Sequence, residues 1–150
     1  MRAVIQRVTT ASVTVSGAVV GAINIGYLVY LGVAPDDTDA DAAYVAQKIA
    51  DLRLFDSESP DTAERSLTEI GGAVLLVSQF TLMGDCRKGR RSSWSNAAKP
   101  QEAIQYYDAV QTLLQSRGIT VATGVFRADM LVTATNEGPF TVLLDSKKQF

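Results

Sequence analysis

The sequence AVLLVSQFTL, residues 73–82, predicts a buried strand with a polar end. Its first five residues are apolar and include two valines, a pattern typical of a strand that is covered on both faces. Ser78, Gln79 and Thr81 then break the apolar run around Phe80. Hydrogen-bonding side chains at the end of a core strand indicate a functional site, because a strand holds them more rigidly than a loop does. Strands also commonly end in polar residues that meet solvent, so this stretch alone leaves both interpretations open.

The length and the cysteine content predict one domain in a reducing compartment. A chain of 150 residues fits a single domain, residues 1–150, and a domain of this size buries about 70% of the surface that its unfolded chain exposes. The one cysteine, Cys86, has no partner for an internal disulfide. The N-terminus has no long apolar segment, so we expect neither a signal peptide nor a membrane anchor. We expect a soluble, cytoplasmic protein.

The sequence contains no histidine, and this absence excludes several mechanisms. A Ser-His-Asp triad, a Cys-His pair and the usual histidine-containing zinc sites are impossible, and one cysteine cannot supply a thiolate cluster. We therefore expect no metal and no cofactor. An enzyme of this composition must work with hydroxyls, amides, carboxylates, lysine or arginine, backbone dipoles, or groups on its substrate.

The charge of the chain is unevenly distributed. The formal net charge is −2, which taken alone argues against a nucleic-acid partner. Between residues 85 and 91, however, one acidic residue accompanies four basic ones, Arg87, Lys88, Arg90 and Arg91. The local charge is +3, and the rest of the chain carries −5. This asymmetry predicts an anion-binding patch, although a run of basic residues is also typical of a solvated turn.

The first part of the chain predicts an antiparallel sheet followed by a helix. The first 33 residues consist of segments with strand character, with a turn at residues 16–17. Asp36, Asp37 or Thr38 can cap the helix that follows. The apolar residues expected on its buried face are spaced by four and three: Val45, Ile49 and Leu52.

The remainder predicts a surface loop at residues 56–65, a second helix and more strands. Pro100 suits the first turn of this helix and Gly118 its end, and its expected buried face consists of Ile104, Tyr107 and Leu114. Three segments have strand character: ITVATGV from Ile119, MLVTAT from Met130 and FTVLLD from Phe140. A turn at residues 136–139 is expected between the last two. The predicted fold class is therefore α/β, a single β-rich domain with a mostly antiparallel sheet, or barrel-like sheets, and two main helices.

Two motifs follow in order, SQFTL at residues 78–82 and NEGPFT at residues 136–141. This pairing resembles the D-aminoacyl-tRNA deacylase family, which carries an SQFTL and an NxGPxT motif. The likeness covers nearly the whole chain and extends to MRAVIQRV at the N-terminus, the Gly-Gly pair before residue 73, RKGRR, AAKPQEA and ADM. The chain departs from the family pattern at Phe140, where valine is usual, and at Arg127, where glycine is usual. It also has RRSSW at residues 90–94, where an RPSF-like sequence is common.

The resemblance implies hydrolysis of the ester that joins a D-amino acid to the 3′ end of tRNA, with Ser78, Gln79, Phe80 and Thr81 as the catalytic group. An ester is activated relative to an amide, so positioning and stabilisation of the developing oxyanion can suffice. Thr81 offers a hydroxyl nucleophile, but no residue of suitable pKa is apparent in the sequence to activate it. In the family, the 2′-hydroxyl of the terminal adenosine assists the attack. We favour this substrate-assisted reaction, with Thr81 as a positioning group, over covalent catalysis by Thr81.

The Gly138-Pro139 pair has two interpretations. By sequence alone it is a plain turn with a trans peptide, since only about 5–6% of X-Pro bonds in folded proteins are cis. The resemblance implies a cis peptide that enters the pocket of a partner subunit, where backbone carbonyls bind the substrate amino group and exclude L-amino acids. It thus implies a homodimer with a cross-subunit active site. The implied substrate-binding residues are Arg7, Phe126, Met130, Gly138, Pro139, Phe140 and Thr141.

Several of these residues also have a structural interpretation. Arg7 either holds the Gly-Pro loop or is a solvated strand charge, and Phe126 and Met130 either line the pocket or pack in the core. The expected partner is aminoacyl-tRNA, whose acceptor-stem phosphates would be bound by Arg87, Lys88, Arg90 and Arg91. Two alternative functions stay open. One is a deacylase acting mainly on glycyl-tRNA or another mischarged tRNA, because Phe140 is unusual, and the other is a non-catalytic nucleic-acid-binding module.

Overall fold

The computed structural model describes residues 1–57, 59, 64–87 and 89–150. Its helices are α1 (Asp39–Asp51) and α2 (Pro100–Ser116), and a short 3-10 helix covers Phe80–Met83. Its strands are β1 (Arg2–Val15), β2 (Ala18–Ile23), β3 (Gly26–Gly32), β4 (Arg53–Phe55), β5 (Arg65–Ser66), β6 (Ala73–Ser78), β7 (Thr120–Thr123) and β8 (Leu131–Asp145). Much of the predicted loop at 56–65 lies outside the described residues, as does Lys88.

The main sheet has the strand order β2-β1-β3-β6-β7, and β8 pairs with β1. β1 is antiparallel to β2, β3 and β8, whereas β6 is parallel to both β3 and β7. The outer strands β2 and β7 approach each other closely at Gly21, where a Cβ would overlap the carbonyl oxygen of Thr123. The sheet is therefore nearly closed as a barrel, and the predicted β-rich α/β fold class with two helices is confirmed.

The central strand β6 contributes to two hydrophobic clusters. Val74 and Leu76 belong to the larger cluster, which also contains the buried faces of α1 and α2. Leu75 and Val77 belong to the smaller one, which lies against β1, β2 and β3. Because successive side chains of a strand point to opposite faces, both faces of β6 are buried. This arrangement explains why the apolar run in β6 is continuous rather than alternating.

The start of α1 agrees with the sequence, since Thr38 is its N-cap residue. The carboxylate of Asp41 accepts hydrogen bonds from the Thr38 backbone N–H (2.9 Å), the Thr38 hydroxyl (2.7 Å), the Ser146 hydroxyl (2.6 Å) and the Lys147 ammonium (3.0 Å). Burial raises the pKa of this carboxyl, but the hydrogen bonds from Ser146, Thr38 and Lys147 outweigh burial and hold its pKa well below the usual range. The charged form of Asp41 therefore ties the end of the chain to the start of α1.

The second helix also begins as predicted, with Pro100 in its first turn, and it ends shortly before Gly118. The prediction of its buried face is wrong for one residue. Ile104 is exposed, whereas Val110 is buried together with Tyr107 and Leu114. The inward face of this helix runs instead through Ala103, which packs against the larger hydrophobic cluster four residues before Tyr107, and Ile104 lies to one side of it.

Two strand predictions are also corrected. β6 ends at Ser78, because the chain then turns into the 3-10 helix, where the backbone N–H of Leu82 donates a hydrogen bond to the Gln79 carbonyl (3.2 Å). The segments MLVTAT and FTVLLD form one strand, β8, rather than two strands joined by a turn at residues 136–139. Both halves of β8 pair with the long strand β1, so the chain between them does not reverse its direction.

Candidate active site

A pocket of about 590 Å³ lies where β6 ends. Its walls come from β3, the end of β6, the segment before α2, the first turns of α2 and the connection between β7 and β8. Five residues that the sequence singled out border it together: Ser78, Gln79, Phe80, Phe126 and Met130. Thr81 does not border the pocket among the described residues.

The end of β6 and the 3-10 helix fix the residues of the SQFTL motif. Ser78 is the last residue of the strand and pairs with Leu31 of β3. The side-chain amide of Gln79 donates a hydrogen bond to the hydroxyl of Thr81. The backbone N–H groups of Phe80 and Thr81 lie in the first turn of the 3-10 helix, where they have no acceptor within the helix. This end of the pocket therefore offers hydrogen-bond donors, while the Thr81 hydroxyl is already engaged.

Phe126 and Met130 border the pocket and also pack against the protein interior. The ring of Phe126 lies 6.0 Å from the ring of the buried Tyr107, measured between centroids. Met130 packs against the smaller hydrophobic cluster, and its sulfur lies so close to Gly124 that a Cβ there would overlap it. The two interpretations drawn from the sequence therefore do not exclude each other.

Sequence reasoning did not assign three further residues that border the pocket, Trp94, Arg127 and Asp129. The rings of Trp94 and Phe80 meet edge to face with their centroids 5.6 Å apart. Trp94 reaches this position because Gly84 has no Cβ, which would overlap the indole ring. The available signals were the single tryptophan of the chain in a polar segment and an arginine at a position where glycine is usual.

The departure at Arg127 has a consequence for the backbone. The N–H of Ala128 donates a hydrogen bond to the carbonyl of Val125 (3.1 Å), which closes a turn with Phe126 and Arg127 at its centre. Arg127 has a φ of 64°, in the left-handed region. A turn with a positive φ at its third residue favours glycine there. Arginine thus occupies a conformation that glycine adopts without steric cost.

The NEGPFT motif forms an outward bulge in β8. Gln6 pairs with Thr141 and Val8 with Asn136, so a stretch of β8 longer than the facing stretch of β1 must bow out. Residues 136–139 are exposed, and the Gly138-Pro139 peptide is cis, as the resemblance implies. The side-chain amide of Asn136 lies 3.3 Å from the Thr141 hydroxyl, which links the two ends of the bulge.

Arg7 supports this bulge from within the protein, and only 6% of its side chain is exposed. Its guanidinium donates hydrogen bonds to the carbonyls of Glu137 (3.3 Å) and Leu54 (2.7 Å) and to the carboxylate of Asp56 (3.1 Å). It also pairs with the Glu137 carboxylate at 3.2 Å and lies 4.4 Å from the ring centroid of Phe140. Arg7 is therefore a buried support of the bulge rather than a solvated strand charge.

Within one chain, the bulge and the pocket lie apart along the sheet. Arg7 pairs with Tyr27 in β3, whereas Ser78 pairs with Leu31 of the same strand. This difference in register corresponds to about 13 Å along the strand. The structure brings five predicted residues together at the pocket. The other predicted substrate-binding residues do not border the pocket in the described part of the chain: Arg7, Gly138, Pro139, Phe140 and Thr141.

The basic segment begins with an internal ion pair. The guanidinium of Arg87 contacts both carboxylate oxygens of Asp85, at 2.8 and 2.7 Å. These hydrogen bonds hold the pKa of the Asp85 carboxyl well below its usual range. Arg90 and Arg91 are exposed, and no ion pair within the described part of the chain includes them. The unpaired positive charge of the described segment thus belongs to Arg90 and Arg91.

The pocket has few groups that could act as an acid or a base. Asp129 is the one carboxylate among the described residues that border it. Nowhere in the described part of the chain are three His, Cys, Asp or Glu side chains grouped as a metal site requires. No helix in the described ranges is long and apolar enough to span a membrane.

Comparison with known proteins identifies relatives over the whole chain. The family model described as D-Tyr-tRNA(Tyr) deacylase matches residues 4–145. A D-aminoacyl-tRNA deacylase from Thermus aquaticus is 55% identical over 149 residues, which cover 99% of this chain and 97% of the relative. A D-aminoacyl-tRNA deacylase from Alkaliphilus metalliredigens is 51% identical over 150 residues and is matched over the full length of both chains.

Two solved structures share the fold. One is described as c-Myc DNA Unwinding Element Binding Protein, with a TM-score of 0.89, 35% identity and coverage of 97% of this chain and 98% of that chain. The other is a probable eukaryotic D-amino acid tRNA deacylase, with a TM-score of 0.82 over 95% of this chain and 97% of that chain, and its 20% identity makes it a likeness of fold alone. The fold, the motifs and these matches define a class of protein, the deacylases of aminoacyl-tRNA. The chain belongs to the D-aminoacyl-tRNA deacylase family, and the family and enzyme class predicted from SQFTL and NEGPFT are confirmed.

Proposed function

We propose that the protein hydrolyses the ester of D-aminoacyl-tRNA to free D-amino acid and tRNA, with residues 1–150 acting as one deacylase domain. The observation that carries this proposal is the pocket at the end of β6, which Ser78, Gln79 and Phe80 of the family motif border together. Family membership over nearly the whole chain supports the same reaction. We place the reaction in the cytoplasm, because translation uses aminoacyl-tRNA there.

The proposed reaction is assisted by the substrate. The 2′-hydroxyl of the terminal adenosine helps the attack on the ester, and the backbone N–H of Phe80, which borders the pocket, stabilises the oxyanion that develops. Three observations support this scheme. The chain has no histidine, the Thr81 hydroxyl is engaged by Gln79 away from the pocket, and Asp129 is the one carboxylate at the described pocket.

The proposed enzyme is a homodimer in which the bulge of one subunit completes the pocket of the other. The separation of bulge and pocket along the sheet supports this arrangement, as does the exposure of residues 136–139. β8 also lies at an edge of the sheet and exposes Leu131 (74%) and Leu143 (62%), which a partner would cover. In this arrangement the backbone carbonyls of Gly138 and Pro139 bind the substrate amino group and leave no room for the side chain of an L-amino acid.

The experiment that tests the function compares D-aminoacyl-, L-aminoacyl- and glycyl-tRNAs that are all prepared from the same tRNA. We expect the D-ester to be hydrolysed at least about tenfold faster than the L-ester, because steric exclusion of one enantiomer from a rigid site costs at least about 1.4 kcal/mol. The measurement is the rate of loss of radiolabelled aminoacyl-tRNA at several enzyme concentrations.

Two results of this assay would replace the proposal with an alternative. Faster loss of glycyl- or L-aminoacyl-tRNA would identify a deacylase of a different mischarged tRNA, for which the unusual Phe140 beside the Gly-Pro pair is the structural reason. Binding of tRNA with no turnover of any ester would identify a nucleic-acid-binding module. The similarity to a protein described as binding a DNA unwinding element is the observation behind that second alternative.

Binding of the tRNA acceptor stem is assigned to Arg87, Lys88, Arg90 and Arg91. Replacing Arg90 and Arg91 together by glutamine is expected to weaken tRNA binding, because both side chains are exposed and carry unpaired charge. The slope of log affinity against log salt concentration should become shallower by about 1 to 2, since each lost phosphate contact contributes about 0.7 to 0.9. Filter binding between 50 and 200 mM salt, about the range over which such contacts weaken strongly, measures this slope.

The matched control for this experiment is Arg117→Gln. Arg117 is also an exposed arginine, but it pairs with Asp51 at 2.6 Å at the end of α2, outside the pocket. Its replacement should leave the slope as in the original protein. An unchanged slope in the Arg90 and Arg91 double variant would refute the assignment.

A further inference from the structure

Arg127 combines an unfavourable backbone conformation with a position at the pocket. Its φ of 64° lies in the left-handed region, and the residue borders the same pocket as Ser78 and Phe80. An L-residue persists in this conformation where the surrounding structure fixes it, and such residues cluster at binding sites. The turn closed by the hydrogen bond from Ala128 to Val125 supplies that constraint. The turn thus holds an arginine at the pocket wall.

The guanidinium of Arg127 is available to a ligand. Arg127 is exposed, and no acidic side chain in the described ranges forms an ion pair with it. Asp129 also borders the pocket, but no ion pair joins the two residues. Arg7 and Arg87, by contrast, are engaged by carboxylates of the chain itself. A planar guanidinium with five donors matches the oxygens of a phosphate.

The proposed substrate supplies such a phosphate. Its reacting ester lies on the ribose of the terminal adenosine, and the nearest anionic group on that nucleotide is the phosphodiester at the 5′ position. A pocket of about 590 Å³ is in the range that encloses a small-molecule group rather than a whole nucleic acid. When the ester lies beside Ser78 and Phe80, this phosphodiester is the anion that can reach Arg127 at the same pocket.

We propose that Arg127 binds the phosphate on the 5′ side of the terminal adenosine and that this contact positions the reacting nucleotide in the pocket. The inference rests on the proposed function, because it takes the substrate from it. The contact differs from those of the basic segment at residues 85–91, since it is made at the pocket with the reacting nucleotide itself. It also gives the arginine a role that the glycine usual at this position cannot fulfil.

The test uses two small substrates, 3′-O-(D-tyrosyl)adenosine and the same ester carrying a 5′-phosphate. For the original protein, the 5′-phosphate should raise kcat/KM about tenfold, as expected of one charge-assisted contact. In Arg127→Gly and Arg127→Ala the ratio between the two substrates should fall to about 1. Arg127→Lys should keep part of the ratio, because it retains the charge but loses the planar fork. Hydrolysis of both esters is followed by release of D-tyrosine.

The chain offers a closely matched control, Lys148→Gly. Lys148 is also an exposed basic residue with a positive φ, 55°, and it does not border the pocket. Its replacement makes the same changes in charge and backbone preference, so the ratio should stay as in the original protein. Thermal melting confirms folding, and Arg127→Gly should melt no lower than the original protein because glycine suits the left-handed conformation.

Three results separate this inference from the proposed function. A ratio of about 1 in the original protein, or an equal ratio in the Arg127 variants, overturns the role of Arg127 and leaves the deacylase function intact. If the small esters do not react, the same ratio is measured on D-tyrosyl-tRNA with a neutral methylphosphonate at the last linkage. With this substrate kcat/KM should fall about tenfold for the original protein and should not change for Arg127→Gly. An equal fall in both proteins overturns the role of Arg127. Failure to hydrolyse any D-aminoacyl ester overturns the proposed function itself.

Discussion

D-aminoacyl-tRNA that ends in 2′-deoxyadenosine is expected to be hydrolysed at least about 100-fold more slowly than the natural substrate, with the amino acid on the 3′-oxygen in both. The physical reason is that the described residues of the pocket include no buried general base to take over the role of the missing hydroxyl. The chain lacks histidine, and the one carboxylate at the described pocket, Asp129, is exposed to solvent. Single-turnover rates with excess enzyme report the chemical step without product release.

The companion variant is Thr81→Ala. Its rate on the natural substrate should stay within about tenfold of the original protein, because Thr81 accepts a hydrogen bond from Gln79 and positions that side chain. The opposite pattern would establish Thr81 as the nucleophile. In that case Thr81→Ala would be inactive, the deoxy substrate would react at nearly the natural rate, and an acyl-enzyme would accumulate in a burst.

Replacing Arg7 by alanine is expected to lower kcat/KM for D-aminoacyl-tRNA about 100-fold, because small displacements of positioning groups have effects of this size. The substitution removes the hydrogen bond to the Glu137 carbonyl, the ion pair with the Glu137 carboxylate and the contact with Phe140. The bulge then loses its buried support, so the ratio of D- to L-ester hydrolysis should fall as well. Both kinetic constants are measured at a temperature where circular dichroism shows the variant folded.

Arg53→Ala is the control for this variant. Arg53 also bridges chain segments, with an ion pair to Glu69 at 2.9 Å, but it is exposed and does not touch the bulge. Its activity should match that of the original protein. Arg7→Ala that is folded and retains both its rate and its preference for the D-ester would contradict the supporting role.

Mixing subunits extends the same prediction to the proposed dimer. Arg7→Ala impairs the bulge, whereas Gln79→Ala impairs the pocket. In a heterodimer of the two, one of the two sites combines an intact pocket with an intact bulge, so the heterodimer should regain up to about half of the normal activity. In a 1:1 mixture that exchanges subunits at random about half of the dimers are heterodimers, so the mixture should regain about a quarter. If each site were built from one chain, both sites of the heterodimer would be impaired and no activity would return.

The parts of the fold that depend on local sequence could be predicted. Thr38 caps α1 and Pro100 starts α2 through interactions within a few residues. The central strand was also predictable, because burial of both faces leaves a continuous apolar run. The apolar pattern does not show where this strand ends, since its pairing with β3 stops at Leu31 and Ser78, close to the end of β3 at Gly32.

The parts that depend on distant pairing could not be predicted. The bulge at residues 137–140 exists because β8 pairs with β1 on both sides of it, and nothing in NEGPFT alone distinguishes a bulge from a turn. The burial of Arg7 depends on Leu54, Asp56 and Glu137, which are far away in the sequence. The motif resemblance implied neither the bulge nor the burial of Arg7, but it did imply the cis Gly138-Pro139 peptide and the contact of Arg7 with this loop, which composition and periodicity do not indicate.

The register of β3 has a consequence for how this chain can change in length. One end of β3 pairs with Arg7, which supports the bulge, and the other end pairs with Ser78, which borders the pocket. Insertion or deletion of a single residue in β3 would turn its buried side chains to the opposite face of the sheet and would shift one functional part relative to the other. Loops absorb length changes at little energetic cost. Over evolutionary time, therefore, insertions and deletions should be excluded from β3 and should accumulate instead in surface connections.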